Sequence, residues 1–223
     1  MIKRTTEIPP VTAPSAEAIR LACLFACYGD SLPFWVQNDG DAFIALADGD
    51  ITLWGCGDRD ELREFLDFVK PNSLFSRLDI LNELGYPPPE SLWVLSRPAD
   101  LAGEAAGDPF RSEDVYALLH AGGFALPDYP AFAVDLCRRL NHGGAKVFMK
   151  QGKGAAVTLQ TGDFALLSGL VSLQKGFGTA AVTAALQQNY GRQMVVCCRE
   201  NLAGFYQKNG FQKQYLAGSW LRP

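Results

Sequence analysis

Apolar residues along the chain change their spacing several times, and each change marks an element. A helix is expected over residues 15–28 (SAEAIRLACLFACY), with Ser15 as its cap. FWVQ, AFIALA and ITLWGCG come next, rich in β-formers and bounded by the turns NDGD and DGD, which predicts a three-stranded meander. In DRDELREFLDFV (58–69), Leu62, Phe65, Leu66 and Val69 fall at helical spacing. SLFSRLD, a short helical piece ending at Gly85 and a closing strand SLWVLSRP complete this half.

Residues 99–113 (ADLAGEAAGDPFRSE) have linker composition. Helices are expected at 112–121 and 130–141, and then the meander returns as VFMK, the turn QGKG, AAVTLQ, the turn TGD and FALLSGL. Phe34 aligns with Val147 and Asp50 with Asp163 at a constant offset of 113. Further on, LNELGY (81–86) parallels YQKNGF (206–211), and SLWVLSRP parallels AGSWLRP. Matched elements in the same order point to an internal duplication. The expected division is into two similar lobes, 1–110 and 111–223, of mixed α+β class. The copies differ where chemistry would sit: CGDRDELREF in the first, LQKGFGTAAV in the second.

Composition narrows the function. The chain has 223 residues, 48% of them hydrophobic, enough for a buried core without disulfides. The net charge of −4, with no basic stripe, argues against a nucleic-acid partner. Apolar runs fall short of the ~20 residues that span a bilayer, and the start has no signal-peptide core, so a cytoplasmic protein is expected. The six cysteines form no CxxC pair and only His120 and His142 accompany them, so no metal site is expected; all six read as reduced core thiols.

The second lobe's glycine pair lies between a strand and a helix. There the backbone can approach an anion, free N–H groups and the helix dipole favour it, and Lys175 adds charge. The first lobe offers Asp58, Asp60 and Glu61 instead, which repel one. Gly176-x-Gly178-x-x-Ala181, followed by a strand and Glu200, also satisfies the dinucleotide pattern. Only 23 residues remain after Glu200, too few for further βαβ units, and an antiparallel meander does not suit a parallel sheet.

LQKGFG (173–178) resembles the R/Q-x-x-G-x-G/A coenzyme A loop of the GNAT superfamily of N-acetyltransferases, with Leu173 where that family has Arg or Gln. Phe205-Tyr206-Gln207-Lys208-Asn209-Gly210-Phe211 resembles the family's FYxKxGF segment. The resemblance covers about residues 112–223, with the first lobe as a degenerate copy. It implies a largely antiparallel sheet flanked by helices and acetyl-CoA as cosubstrate, with no metal. It also implies acetyl transfer by direct attack of a primary amine borne by a small molecule or peptide. The pyrophosphate would meet the amides of Gln174, Lys175, Gly176, Phe177, Gly178 and Thr179, and the pantetheine arm the backbone near Leu170 and Val171. Tyr206 would be the acid toward the sulfur, with Asn201 a coenzyme contact or a helix cap. Glu200, at the strand end, would be the base, ahead of either histidine. Arg192 and Lys208 are surface charges or 3′-phosphate contacts. Two other readings stay open: a non-catalytic acyl-CoA-binding or regulatory protein of the same fold, and a dinucleotide binder.

Overall fold

A computed structural model describes residues 1–99 and 107–223. Part of the 99–113 linker, residues 100–106, lies outside the described residues. The chain separates into two compact units, Met1–Leu95 with Cys197–Pro223, and Ser96–Val196. The described residues form eleven strands and seven α-helices, a mixed and mostly antiparallel arrangement.

In the first unit β1 (Ile2–Arg4), β2 (Phe34–Gln37), β3 (Ala42–Ala47) and β4 (Asp50–Gly55) pair antiparallel in succession. β5 (Ser73–Arg77) then joins β4 in parallel, because α2 (Arg59–Val69) carries the chain back between them. After β5 come α3 (Leu78–Leu84) and β6 (Ser91–Arg97). Alternation along β3 sends Ile44 to a core with Leu62, Leu66, Leu74 and Leu81 under α2 and α3. The same alternation sends Ala45 to a second core with Leu21, Leu24 and Phe34 under α1 (Ala16–Tyr28). Ser15 caps α1 as expected, its hydroxyl accepting from the Ala18 amide at 3.1 Å.

The second unit repeats the scheme. β7 (Ala145–Lys150), β8 (Gly154–Thr161) and β9 (Phe164–Ser172) form the meander; α6 (Phe177–Gln188) crosses over, and β10 (Gln193–Cys198) pairs in parallel with β9. α4 (Ser112–Ala121) and α5 (Tyr129–Asn141) cover one face through Val115, Leu118, Leu119 and Leu136, packed on Val147, Val157 and Val171. α6 covers the other with Ala181, Val182, Ala185 and Leu186. The hairpin turns also repeat: Asn38 and Asp39 hold positive φ in the first copy, and Gln151 and Gly152 hold it at the same offset in the second.

The ends of the two copies depart from the expected 110/111 division. α7 (Glu200–Lys208) and β11 (Gln212–Leu221) are grouped with the first unit, where β11 lies between β5 and β6. Its register against β5 runs antiparallel from Ala217↔Arg77 to Leu221↔Ser73. The cysteines also need correction: Cys137 on α5 is exposed and Cys56 and Cys197 are partly buried, while Cys23, Cys27 and Cys198 are buried. No helix among the described residues is long and apolar enough to cross a membrane.

Candidate functional site

β9 and β10 pair over only four positions, ending at Leu167↔Val196. The next residue, Ser168, is the extra one of a bulge, since Thr158 pairs with Leu167 and Val157 with Gly169. From there to Ser172, β9 keeps β8 on one edge and has no β10 partner on the other. Leu170 and Val171 stand on this stretch, where β9 is paired on the β8 side and not with β10. Neither bulge nor opening was read from the sequence; Ser168-Gly169 in an otherwise apolar run was the available signal.

The strand then turns into α6. The Gln174 carbonyl accepts from the Phe177 amide at 3.2 Å and from the Ser172 hydroxyl at 2.7 Å, which fixes the bend. Gly176 is the N-cap at φ 92°, a left-handed conformation, and a Cβ there would meet nothing within 4 Å. Glycine is therefore required for its backbone angle rather than for packing. No side chain caps α6 and its first turn holds no acidic residue. Among the described residues the Gly178 and Thr179 amides have no backbone acceptor outside the helix. Donors left free at a helix start, with the positive end of the dipole behind them, suit an anion. Gln174, Lys175 and Thr179 are exposed, and Phe177 and Gly178 are partly so. An open groove of about 550 Å³ runs from Gly176 past Thr179, Ala180, Thr183 and Gln187, with Phe148 beside it. Leu173 is 52% exposed; its amide donates to the Lys153 carbonyl at 2.8 Å.

The remaining predicted residues stand on α7, in the first unit. Tyr206 is 5% exposed and packs edge-on against Phe205 and Phe211. Burial raises its phenol well above the usual range, and the neighbouring thiols Cys198 and Cys197 add to this. At the end of α7 the Phe211 amide donates to the Tyr206 carbonyl (3.1 Å) and the Gly210 amide to that of Gln207 (3.0 Å). The end of α3 makes the same two bonds, Tyr86 to Leu81 (2.8 Å) and Gly85 to Asn82 (3.2 Å). The two motifs are thus one structure built twice, and Leu81 holds the position of Tyr206.

Glu200 opens α7 rather than ending the strand, which closes at Cys198. Its Oε1 accepts from Lys213 at 2.8 Å and its Oε2 from the Trp93 indole. Those bonds, Lys213 first, hold its carboxyl below the usual range, the wrong direction for a group that must take a proton from an amine. Asn201 is not the cap of α7: Arg199 holds that position, and Asn201 is exposed one residue into the helix. His120 stacks on Tyr116 in the last turn of α4, and His142 caps the end of α5. Arg192 donates to the Gly162 carbonyl at 3.0 Å, and Lys208 is exposed in the last turn of α7.

No family model matches the sequence, and no curated protein resembles it closely enough to count as a relative. Solved structures share its fold. A GCN5-related N-acetyltransferase from Sphaerobacter thermophilus superposes with a TM-score of 0.53 at 14% identity, covering 100% of this chain and 96% of that one. A tandem GNAT protein from the clavulanic acid biosynthesis pathway gives 0.51 at 14% identity, covering 100% and 98%. A Drosophila protein gives 0.51 at 14% identity, covering 97% and 84%. The chain has the GNAT acetyltransferase fold. Its whole length is similar to that of the tandem protein, with the duplication the repeated turns and helix ends display.

Proposed function

We propose that this protein is an acetyl-CoA-dependent N-acetyltransferase with one working coenzyme loop, in the second copy. The observation that carries the reading is the uncapped, acid-free start of α6 behind a left-handed Gly176, placed just after β9 parts from β10. Acetyl-CoA supplies an acyl group activated as a thioester. The amides of residues 174–179 other than Phe177, which closes the bend, hold its pyrophosphate, and the open edge of β9 near Leu170 and Val171 takes the amides of its pantetheine arm. Tyr206, kept protonated by burial, gives its proton to the departing thiolate as the amine's C–N bond forms and the C–S bond breaks, and the proton that the amine nitrogen loses passes through water to restore the phenol. The acceptor is a primary amine on a small molecule or peptide, and the site of action is the cytoplasm.

A second reading has specific support. Both oxygens of the expected base, Glu200, are engaged, and Leu173 replaces a polar residue of the coenzyme loop. An acyl-CoA-binding or regulatory protein fits both facts. Calorimetry with coenzyme A, acetyl-CoA and NAD, followed by thiol release over an amine panel, tests the pair. Coenzyme A binding with amine-dependent thiol release supports the transferase; binding without release supports the regulator. Stabilisation by NAD alone would overturn both.

A further inference from the structure

The two copies differ beside their crossover helices. At the offset of 113, Phe148 on β7 corresponds to Trp35 on β2, and Lys150 to Gln37. The N-caps Asp58 and Gly176 align the helices, so Thr183 on α6 corresponds to Phe65 on α2. In the first copy the Trp35 and Phe65 rings meet edge to face, with 5.1 Å between centroids. Gln37 is buried, its amide donating to the Asp58 carbonyl and to Glu61, each at 2.8 Å. In the second copy Phe148 keeps its ring and Thr183 supplies none. The open groove of about 550 Å³ along α6 lies at that place, with Phe148, Thr179, Thr183 and Gln187 in its lining.

Lys150 stands at the end of this groove where α6 begins. Val147 and Met149 pack under α4 and α5, so alternation puts Lys150 on the opposite face of β7, with Phe148. Its strand partner is Gly154, and a Cβ added to Gly154 would lie 3.4 Å from Phe177, in the first turn of α6. The Lys150 ammonium is 3.6 Å from Asp108 Oδ1, beyond a hydrogen bond, and its side chain makes none among the described residues. Asp108 Oδ2 is taken by the Gln151 amide at 2.6 Å. The lining itself carries no charge. It offers an aromatic surface, two hydroxyls and an amide, with a cation at one end only. A nucleoside phosphate has the matching parts: a flat base, polar edges and charge at one end.

We propose that this groove holds the nucleoside 3′-phosphate end of the coenzyme. The base lies against Phe148, in the place that Phe65 fills in the first copy, and the 3′-phosphate lies on Lys150. Thr183 is the residue that makes room, and its hydroxyl, with those of Thr179 and the Gln187 amide, meets the polar edges of base and ribose. An acyl chain in the same groove would cover those groups without pairing them, which is costly. The inference rests on the coenzyme reading of the α6 loop and adds to it the route of the nucleotide and the residue that reads its 3′-phosphate.

The test is calorimetry on the full chain with coenzyme A, 3′-dephospho-coenzyme A and adenosine 3′,5′-bisphosphate. Coenzyme A should bind about tenfold or more tightly than its dephospho form, and Lys150→Gln should remove that difference by weakening coenzyme A alone. Lys150→Gln loses only an exposed ion pair, so the fold should stand. Thr183→Phe rebuilds the first copy's ring pair in the groove, and should lower the affinity of all three ligands by about tenfold or more, its fold checked by melting. The proposal fails if Thr183→Phe leaves coenzyme A affinity unchanged, or if wild type binds the two coenzymes alike. It fails too if Lys150→Gln weakens both alike or leaves their difference standing. If coenzyme A does not bind wild type at all, the transferase reading falls, and adenosine 3′,5′-bisphosphate decides the groove by itself. Binding to wild type and not to Thr183→Phe then supports the groove as a nucleotide site, and no binding overturns it.

Discussion

Two helices, α2 and α6, follow a meander at the same place in their copies and begin in opposite ways. α6 starts behind a glycine with its amides open. α2 starts behind Asp58, whose carboxylate accepts from the amides of Asp60 and Glu61 at 3.1 and 3.2 Å. The first copy has an anion of its own where the second could take one from a ligand. It is closed at two further points. The Ser76 hydroxyl donates to the Leu53 carbonyl at 2.9 Å, beyond the last β4–β5 pair at Thr52↔Phe75, and so bridges the gap that stays open beside β9. Leu81 replaces Tyr206. The two copies thus share a fold and a hairpin turn and differ by a cap, a hydroxyl bridge and an apolar side chain.

The comparison can be broken by making α6 resemble α2. Gly176→Asp gives α6 a carboxylate at its start and loads a left-handed position, so coenzyme A affinity should fall by about 100-fold or more, near 2.7 kcal/mol. Calorimetry reads this, and unchanged affinity would remove the loop from the site. Tyr206→Phe should lower kcat by about 10²-fold while coenzyme A binding stays within about twofold, since only the proton is lost. Steady-state and binding measurements on one preparation separate the two quantities.

The pH dependence of stability follows from the same buried groups. Burial raises Tyr206 and Tyr215, the latter also through Glu17, and pushes Cys198 up to about 11. Unfolded thiols and phenols ionise near ~8.5 and ~10, so above those values the unfolded chain sheds protons the folded chain keeps. Stability is complete below pH ~8.5 and falls as pH rises through the folded-state values. Melting scans from pH 8 to 11 should fall continuously, and Tyr206→Phe should flatten the fall above pH ~10. The smallest effect belongs to the closed copy: Asp58→Ala removes the α2 cap and should cost about 1 kcal/mol, a few degrees of melting temperature. It should leave the first copy unable to bind coenzyme A, because Asp60 and Glu61 remain in the first turn of α2.

Much of this was legible in the chain because local rules wrote it. Ser15 caps α1, Gly85 ends α3 in the left-handed conformation, and the 113-residue offset follows real turns through both meanders. What escaped depended on distant partners. β1 is three residues long, with no period to read, and is defined by pairing with β2. Glu200 looked like a free base because Trp93, which binds it, is 107 positions away. The membership of β11 was hidden for the same reason: AGSWLRP, expected to close the second copy, pairs instead with β5, far back in the chain.

That last strand also sets an order of events during synthesis. With β11 seated between β5 and β6, the first unit's sheet lacks an interior strand until residues 212–221 have been made. Chains usually fold from the N-terminal domain onward as they emerge. Here the copy made first must wait for the copy made last, with two strand edges exposed in the interval, so it is the piece that needs protection while it waits. A gene for residues 1–110 alone would encode a lobe without its keystone.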